Sequence, residues 1–116
     1  MIRMVRLGLL SGLFALMAGP ALASEAGIAG GQALASQRQC LGCHQVEARR
    51  VGPPFRAIAQ RFQGRPQAAQ YLAQAMRRGS SGQWGAIPMP AQTRLSDADA
   101  LRLAQWILSL SDDGQP

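Results

Sequence analysis

Cys40-Leu41-Gly42-Cys43-His44 places two thiols three positions apart, with an imidazole directly after the second. Two such thiols lie on one turn of backbone and can add to two vinyl groups on one edge of a porphyrin. The imidazole that follows is then placed as proximal ligand of the iron. The spacing therefore reads as the attachment site of a c-type haem. Three other readings compete with it. A structural zinc site needs four ligands, and the chain has two Cys and one His in all, so Cys40, Cys43 and His44 would leave the fourth position to a distant carboxylate. A thioredoxin-like pair needs a β-α-β context, and no strand pattern precedes Cys40. A disulfide between the two Cys would close a tiny loop and stabilise little.

Outward from the motif, the N-terminal segment reads as a secretory signal peptide, residues 1–23. Arg3 and Arg6 form a positive start, Leu7 to Ala18 is an apolar run of 12 residues, and Gly19-Pro20 breaks it. Ala21-Leu22-Ala23 is a small-residue cleavage signature, which puts the new N-terminus at Ser24. A transmembrane anchor would need roughly 20 apolar residues, so the run is short for that alternative. Residues 24–116 then form one small domain, of the size at which a single core is marginal. Its aromatic residues are Phe55, Phe62, Tyr71, Trp84 and Trp106. A haem would supply the apolar bulk that so few large side chains lack.

All 12 basic residues are Arg, against six acids. A basic balance can mark nucleic-acid binding, but export and the absence of a basic-aromatic stripe argue against it. Most of these arginines read as a solvated face. A few can dock an acidic partner.

Helical periodicity recurs along the domain and strand alternation does not. A first helix is expected from about Ile28 to Gln39, with Ala29, Ala33 and Leu34 or Ala35 inward. Gly52-Pro53-Pro54 blocks helix. Phe55 to Phe62 carries Phe55, Ile58, Ala59 and Phe62 at helical spacing. Pro66 suits the first turn of a third helix, which runs to about Arg78 and is ended by Gly79. Ser80 to Leu95 is a Gly- and Pro-rich loop, long enough to carry function. Ser96 is the expected N-cap of the last helix, whose face includes Leu101, Leu103, Ala104, Trp106, Ile107, Leu108 and Leu110. The fold class expected is all-α, about four helices with a Pro-rich loop before the C-terminal one.

The chain's one His leaves no second imidazole for the iron, so a thioether is the remaining candidate. Met1, Met4 and Met17 leave with the signal peptide. Met76 lies on a helix stripe and reads as core. Met89 stands between Pro88 and Pro90, whose fixed φ holds an extended frame that can aim one side chain inward. Met89 is therefore the expected sixth ligand. His/Met ligation raises the reduction potential and closes the iron to substrate, which points to electron transfer rather than catalysis.

At this point the chain resembles class I cytochromes c, and most of all the small bacterial cytochromes c-551/c-552 (cytochrome c8 type). The resemblance is carried by Cys40-Leu41-Gly42-Cys43-His44, Val51-Gly52-Pro53-Pro54, Gly79-Ser80, Gly82-Gln83-Trp84-Gly85, Ile87-Pro88-Met89-Pro90 and Leu103-Ala104-Gln105-Trp106, in order. It implies the cytochrome c fold around one covalently attached haem c, with residues 24–116 as a monohaem domain. It also implies that the Pro53 carbonyl accepts the Nδ1 proton of His44 and that the Trp84 indole N–H bonds a haem propionate. Trp106 would pack the last helix on the first. Phe55, Phe62 and Leu72 would wall the haem pocket, and Leu41, Gly42, Ala86, Ile87, Pro88 and Pro90 would frame its exposed edge. Three positions depart from the pattern. Ala75 stands where an Arg often pairs with a propionate, leaving Arg77 or Arg78 as substitutes. Gln92 replaces the Asn that commonly donates to the Met sulfur. Arg50 puts a charge near the exposed edge.

The expected function is that of a soluble periplasmic one-electron carrier, not an enzyme. It would be a monomer shuttling between donor cytochrome complexes and acceptor reductases or oxidases, with Arg49 and Arg50 steering acidic partners. No nucleic acid and no stable membrane insertion are expected. Three alternatives stay open on the sequence: a dedicated haem subunit of a periplasmic oxidoreductase, a ligand-binding haem protein with an open iron, and a haem-free redox or zinc protein.

Overall fold

Each helix forms where apolar residues recur three and four positions apart, and the first three end where a Gly or a left-handed residue interrupts that spacing. The computed structural model describes residues 29–111; the predicted signal peptide, residues 1–23, lies outside them. Helix α1 is Gly31–Gln37, α2 is Phe55–Phe62, α3 is Ala68–Arg78 and α4 is Asp97–Ser109, with a 3-10 turn at Cys40–Gly42. Among the described residues the β-structure is a single bridge between Ser80 and Met89. The chain is all-α, as expected.

Helix α4 is the hub. Its inner face of Ala100, Leu103, Ala104, Trp106 and Ile107 is buried and packs against α1, α2 and α3. Burying a large side chain of this kind stabilises by roughly 1.5–3 kcal/mol, so Leu103, Trp106 and Ile107 together anchor the domain. The helix starts where expected: the Asp99 backbone N–H donates to Ser96 Oγ at 3.1 Å, and Asp97 and Asp99 in the first turn favour the positive end of the helix dipole.

Helix α1 departs from expectation. Its buried residues are Gly31, Leu34 and Ala35, while Ala29 and Ala33 face solvent. Contact with α4 sets this rotation, because a Cβ on Gly31 would overlap Cβ and Cγ of Trp106. Trp106 thus packs the last helix on the first, as the resemblance implied. The helix stops at Gln37 because Gln39 takes a left-handed φ of 61°, which swings the chain into the Cys40 turn.

Helix α3 begins at Ala68 rather than Pro66. Gln67, at φ 57°, adopts the left-handed conformation just before it and breaks the helical run that Pro66 would have opened. Ala68, Leu72 and Met76 are buried, so Met76 is core. The C-terminus of α3 is tied to the start of α4: Arg77 Nε donates to the Leu95 carbonyl at 3.0 Å, and Arg77 pairs with Asp97.

Candidate functional site

The Cys-rich turn is built by its own backbone. The His44 N–H donates to the Cys40 carbonyl at 2.9 Å, and the N–H groups of Val51 and Gly52 return to the Cys43 carbonyl at 3.2 and 2.8 Å. The segment between is therefore a closed loop. It also caps α2, whose first N–H groups, on Phe55 and Arg56, reach the carbonyls of Gln45 and Val46 at 2.8 and 3.1 Å. Backbone acceptors do here what a side-chain N-cap does elsewhere.

These connections fix His44. Its ring is buried, and Nδ1 lies 2.8 Å from the Pro53 carbonyl oxygen. A carbonyl only accepts, so Nδ1 carries the proton and Nε2 is left with its lone pair, the tautomer a metal-binding imidazole needs. The Phe55 ring stacks on the imidazole at 5.0 Å and 20°. On another side stands Gly52, where a Cβ would press into the ring, 2.8 Å from Nδ1. The imidazole is held in one orientation by a hydrogen bond, a ring and a missing side chain.

The long loop is closed at its neck. Ser80 N–H donates to the Met89 carbonyl at 3.1 Å and Met89 N–H donates to the Ser80 carbonyl at 2.8 Å. Gly79 makes this possible: its φ is 79°, and a Cβ there would lie 2.8 Å from the Met89 carbonyl oxygen, so both conformation and space favour glycine. The Gln92 N–H donates to the Met76 carbonyl at 2.8 Å, which seats the far side of the loop on α3. Gln92 Nε2 donates to the Pro90 carbonyl at 3.0 Å.

Cys40, Cys43, His44, Pro53, Trp84 and Met89, all singled out from sequence, line one cavity. Its empty space is about 1370 Å³ counted out to the open mouth. Phe55, Ile58, Leu72, Met76, Leu103 and Ile107 add apolar wall. Phe62 does not belong to it; it is buried behind Tyr71, the two rings stacking at 5.2 Å. Cys40 is half-buried and Cys43 exposed, and no disulfide joins them. Burial, chiefly, and the neighbouring Cys43 thiol push the Cys40 thiol up from its ordinary value, against a backbone hydrogen bond that lowers it. Among the described residues no group of three or more His, Cys, Asp or Glu side chains could hold a metal ion, so the zinc reading lacks its ligands there.

The cytochrome c family matches residues 28–111 of this sequence. The chain belongs to the cytochrome c family. It is 43% identical over 93 residues to cytochrome c-552 of Hydrogenobacter thermophilus, covering 77% of this chain and 94% of that protein. With cytochrome c-552 of Nitrosomonas europaea it shares 51% over 77 residues, covering 66% of this chain and 75% of the relative. The crystal structure of the Nitrosomonas europaea protein superposes with a TM-score of 0.68 at 49% identity, covering 69% of this chain and 99% of that one. This cytochrome c is thus an electron carrier bearing one covalent c-type haem, not an enzyme, and Cys40 and Cys43 with His44 fit its attachment. The cavity suits that group: two thiols at one side, a metal-ready imidazole against one wall, and a mainly apolar lining.

Sequence reasoning missed how the loop tip is held. Arg49 Nη2 donates to the Trp84 carbonyl at 3.0 Å. Arg61, from α2, donates to the Gln83 carbonyl, and its guanidinium lies 4.6 Å from the Trp84 ring centroid. Arg77 is committed to Leu95 and Asp97, so it is not the substitute for the arginine missing at Ala75. The Arg49 and Arg61 pairings join residues 35 and 22 positions apart, and no local pattern announces them.

Proposed function

We propose that this cytochrome c is an exported, periplasmic one-electron carrier in which His44 and Met89 are the two axial ligands. The observation that carries the proposal is the pairing of a tied-back imidazole and a loop-framed thioether on the lining of one apolar cavity. When bound there, the haem supplies a one-electron Fe(III)/Fe(II) couple, exchanged with partner proteins at its exposed edge. The chain's own residues do the rest. Cys40 and Cys43 attach the group. Pro53, by taking the Nδ1 proton, keeps Nε2 of His44 available. The Ser80–Met89 bridge fixes the backbone that carries the Met89 thioether, and soft sulfur favours the reduced state. The Trp84 indole N–H, for which the described residues show no acceptor, serves a haem propionate.

Val51 and Ile87, 45% and 62% exposed, mark with Cys43 where the cavity opens and where partners contact the molecule. Export is supported by the charged, apolar and small-residue segments of residues 1–23. Among the described residues no helix is long and apolar enough to cross a membrane. Arg50, exposed beside the opening, favours acidic donor and acceptor surfaces and weak, salt-sensitive association.

The test is the absorption spectrum of the haem-loaded protein in both redox states, with Met89→Ala beside it. The wild type is expected to show the weak sulfur-to-iron band when oxidised and to take up carbon monoxide slowly when reduced. Met89→Ala should keep covalent haem, lose the band, bind carbon monoxide quickly and have a lower potential. A wild type without the band, or a variant with an unchanged potential, would remove Met89 from the iron.

A further inference from the structure

Among the described residues Arg49 is the only one lining the cavity with a permanent charge. Every other lining residue is apolar, neutral polar, or one of the haem-attaching and ligating groups. A haem brings two carboxylates with it, and carboxylates drawn into a partly buried site need a cation or several donors. The guanidinium of Arg49 is also uncommitted to any acid among the described residues. Three carboxylates occur among the described residues, and each already holds an arginine elsewhere: Glu47 holds Arg56, Asp97 holds Arg77, and Asp99 holds Arg38 and Arg102. The partner Arg49 does have is neutral, the Trp84 carbonyl at 3.0 Å. One donor of a planar five-donor fork is thereby used, and the others remain for an anion. The same bond places Arg49 beside Trp84, whose indole lines the cavity from the loop side. Arg61 buttresses that indole at 4.6 Å from behind and is not itself part of the lining.

We infer that Arg49 is the cation that pairs with a haem carboxylate, and that its charge raises the potential of the haem. The inference rests on the haem-carrier reading above, and it assigns the counter-charge to the loop that follows His44 rather than to helix α3, where Ala75 can offer none. Physically, a fixed positive charge at the cavity penalises the ferric state more than the ferrous one. Removing it should favour oxidation.

The experiment compares the potentials of the haem-loaded wild type, Arg49→Gln, Arg49→Lys and Arg61→Gln at one pH and one low ionic strength. Arg49→Gln should shift the reduced-to-oxidised ratio at a fixed ambient potential about tenfold towards oxidised, equal to about 59 mV for one electron. Arg49→Lys, which keeps the charge, should recover most of the shift. Arg61→Gln removes the other arginine tie of the same loop but no charge from the cavity, so its shift should stay within about twofold. The inference is overturned if Arg49→Gln leaves the ratio within about twofold of wild type, or if Arg61→Gln reproduces its shift, since Arg49 would then be only a loop tie. The sulfur-to-iron band, read on the same samples, reports separately on Met89 ligation, so failure of one reading is not mistaken for failure of the other.

Discussion

His44 shows how much of the site is decided around one ring. The imidazole meets a carbonyl at Nδ1, a stacked Phe55 and the bare Cα of Gly52. A side chain at residue 52 would have to displace the ring or the backbone that carries it. Gly52→Ala is therefore expected to destabilise the haem-loaded protein by about 1–3 kcal/mol, the usual range for overpacking a tight site. The denaturant midpoint measures this, and a midpoint equal to wild type would mean that the ring has room the structure does not show. The motif Cys40-Leu41-Gly42-Cys43-His44 was legible because its chemistry is contained in five consecutive residues. The Phe55 stack was not, because a Phe at helical spacing is the same letter whether it packs on aliphatic core or on an imidazole.

At the scale of elements, pairwise contact overrode local periodicity. Periodicity placed α1 with Ala29 and Ala33 inward, and the contact between Gly31 and Trp106 turned it to bury Gly31, Leu34 and Ala35. Alanines carry so little apolar surface that either rotation buries nearly the same area; the place where two backbones can approach decided between them. Gly31→Ala tests this with opposed effects. Ala is the better helix former by about 1 kcal/mol, whereas the new methyl would overlap the root of the Trp106 side chain and cost about 1–3 kcal/mol. The net expectation is a thermal midpoint lowered by several degrees; a raised midpoint would show that α1 is free to slide. The long loop is marked in the sequence by its Gly and Pro content, and its neck is not. The two-way bond between Ser80 and Met89 is a tertiary event between residues that no strand pattern flags.

At the scale of the whole molecule, helices α2, α3 and α4, the Cys40–His44 turn and the long loop line a cavity that the described side chains do not fill. The apolar residues around it, Ile58, Leu72, Met76, Leu103 and Ile107, would face water without a cofactor, in a domain small enough that its core is marginal. Cys40→Ala/Cys43→Ala, which cannot attach haem covalently, should therefore be largely unfolded. Far-UV dichroism measures the loss, and native-like helix content with a cooperative melt would refute it. The sequence alone determined the attachment motif, the all-α class, the Pro-framed loop that carries Met89 and the cap that starts α4. Each of these is written in residues close together along the chain, where backbone geometry and side-chain chemistry act locally. Only the tertiary structure decided which face α1 buries, that Phe62 packs behind Tyr71 instead of lining the cavity, that Arg77 is spent on Asp97, and that Arg49 reaches Trp84. Those outcomes depend on which surfaces meet after folding, and packing and charge pairing between distant segments leave no period in the sequence.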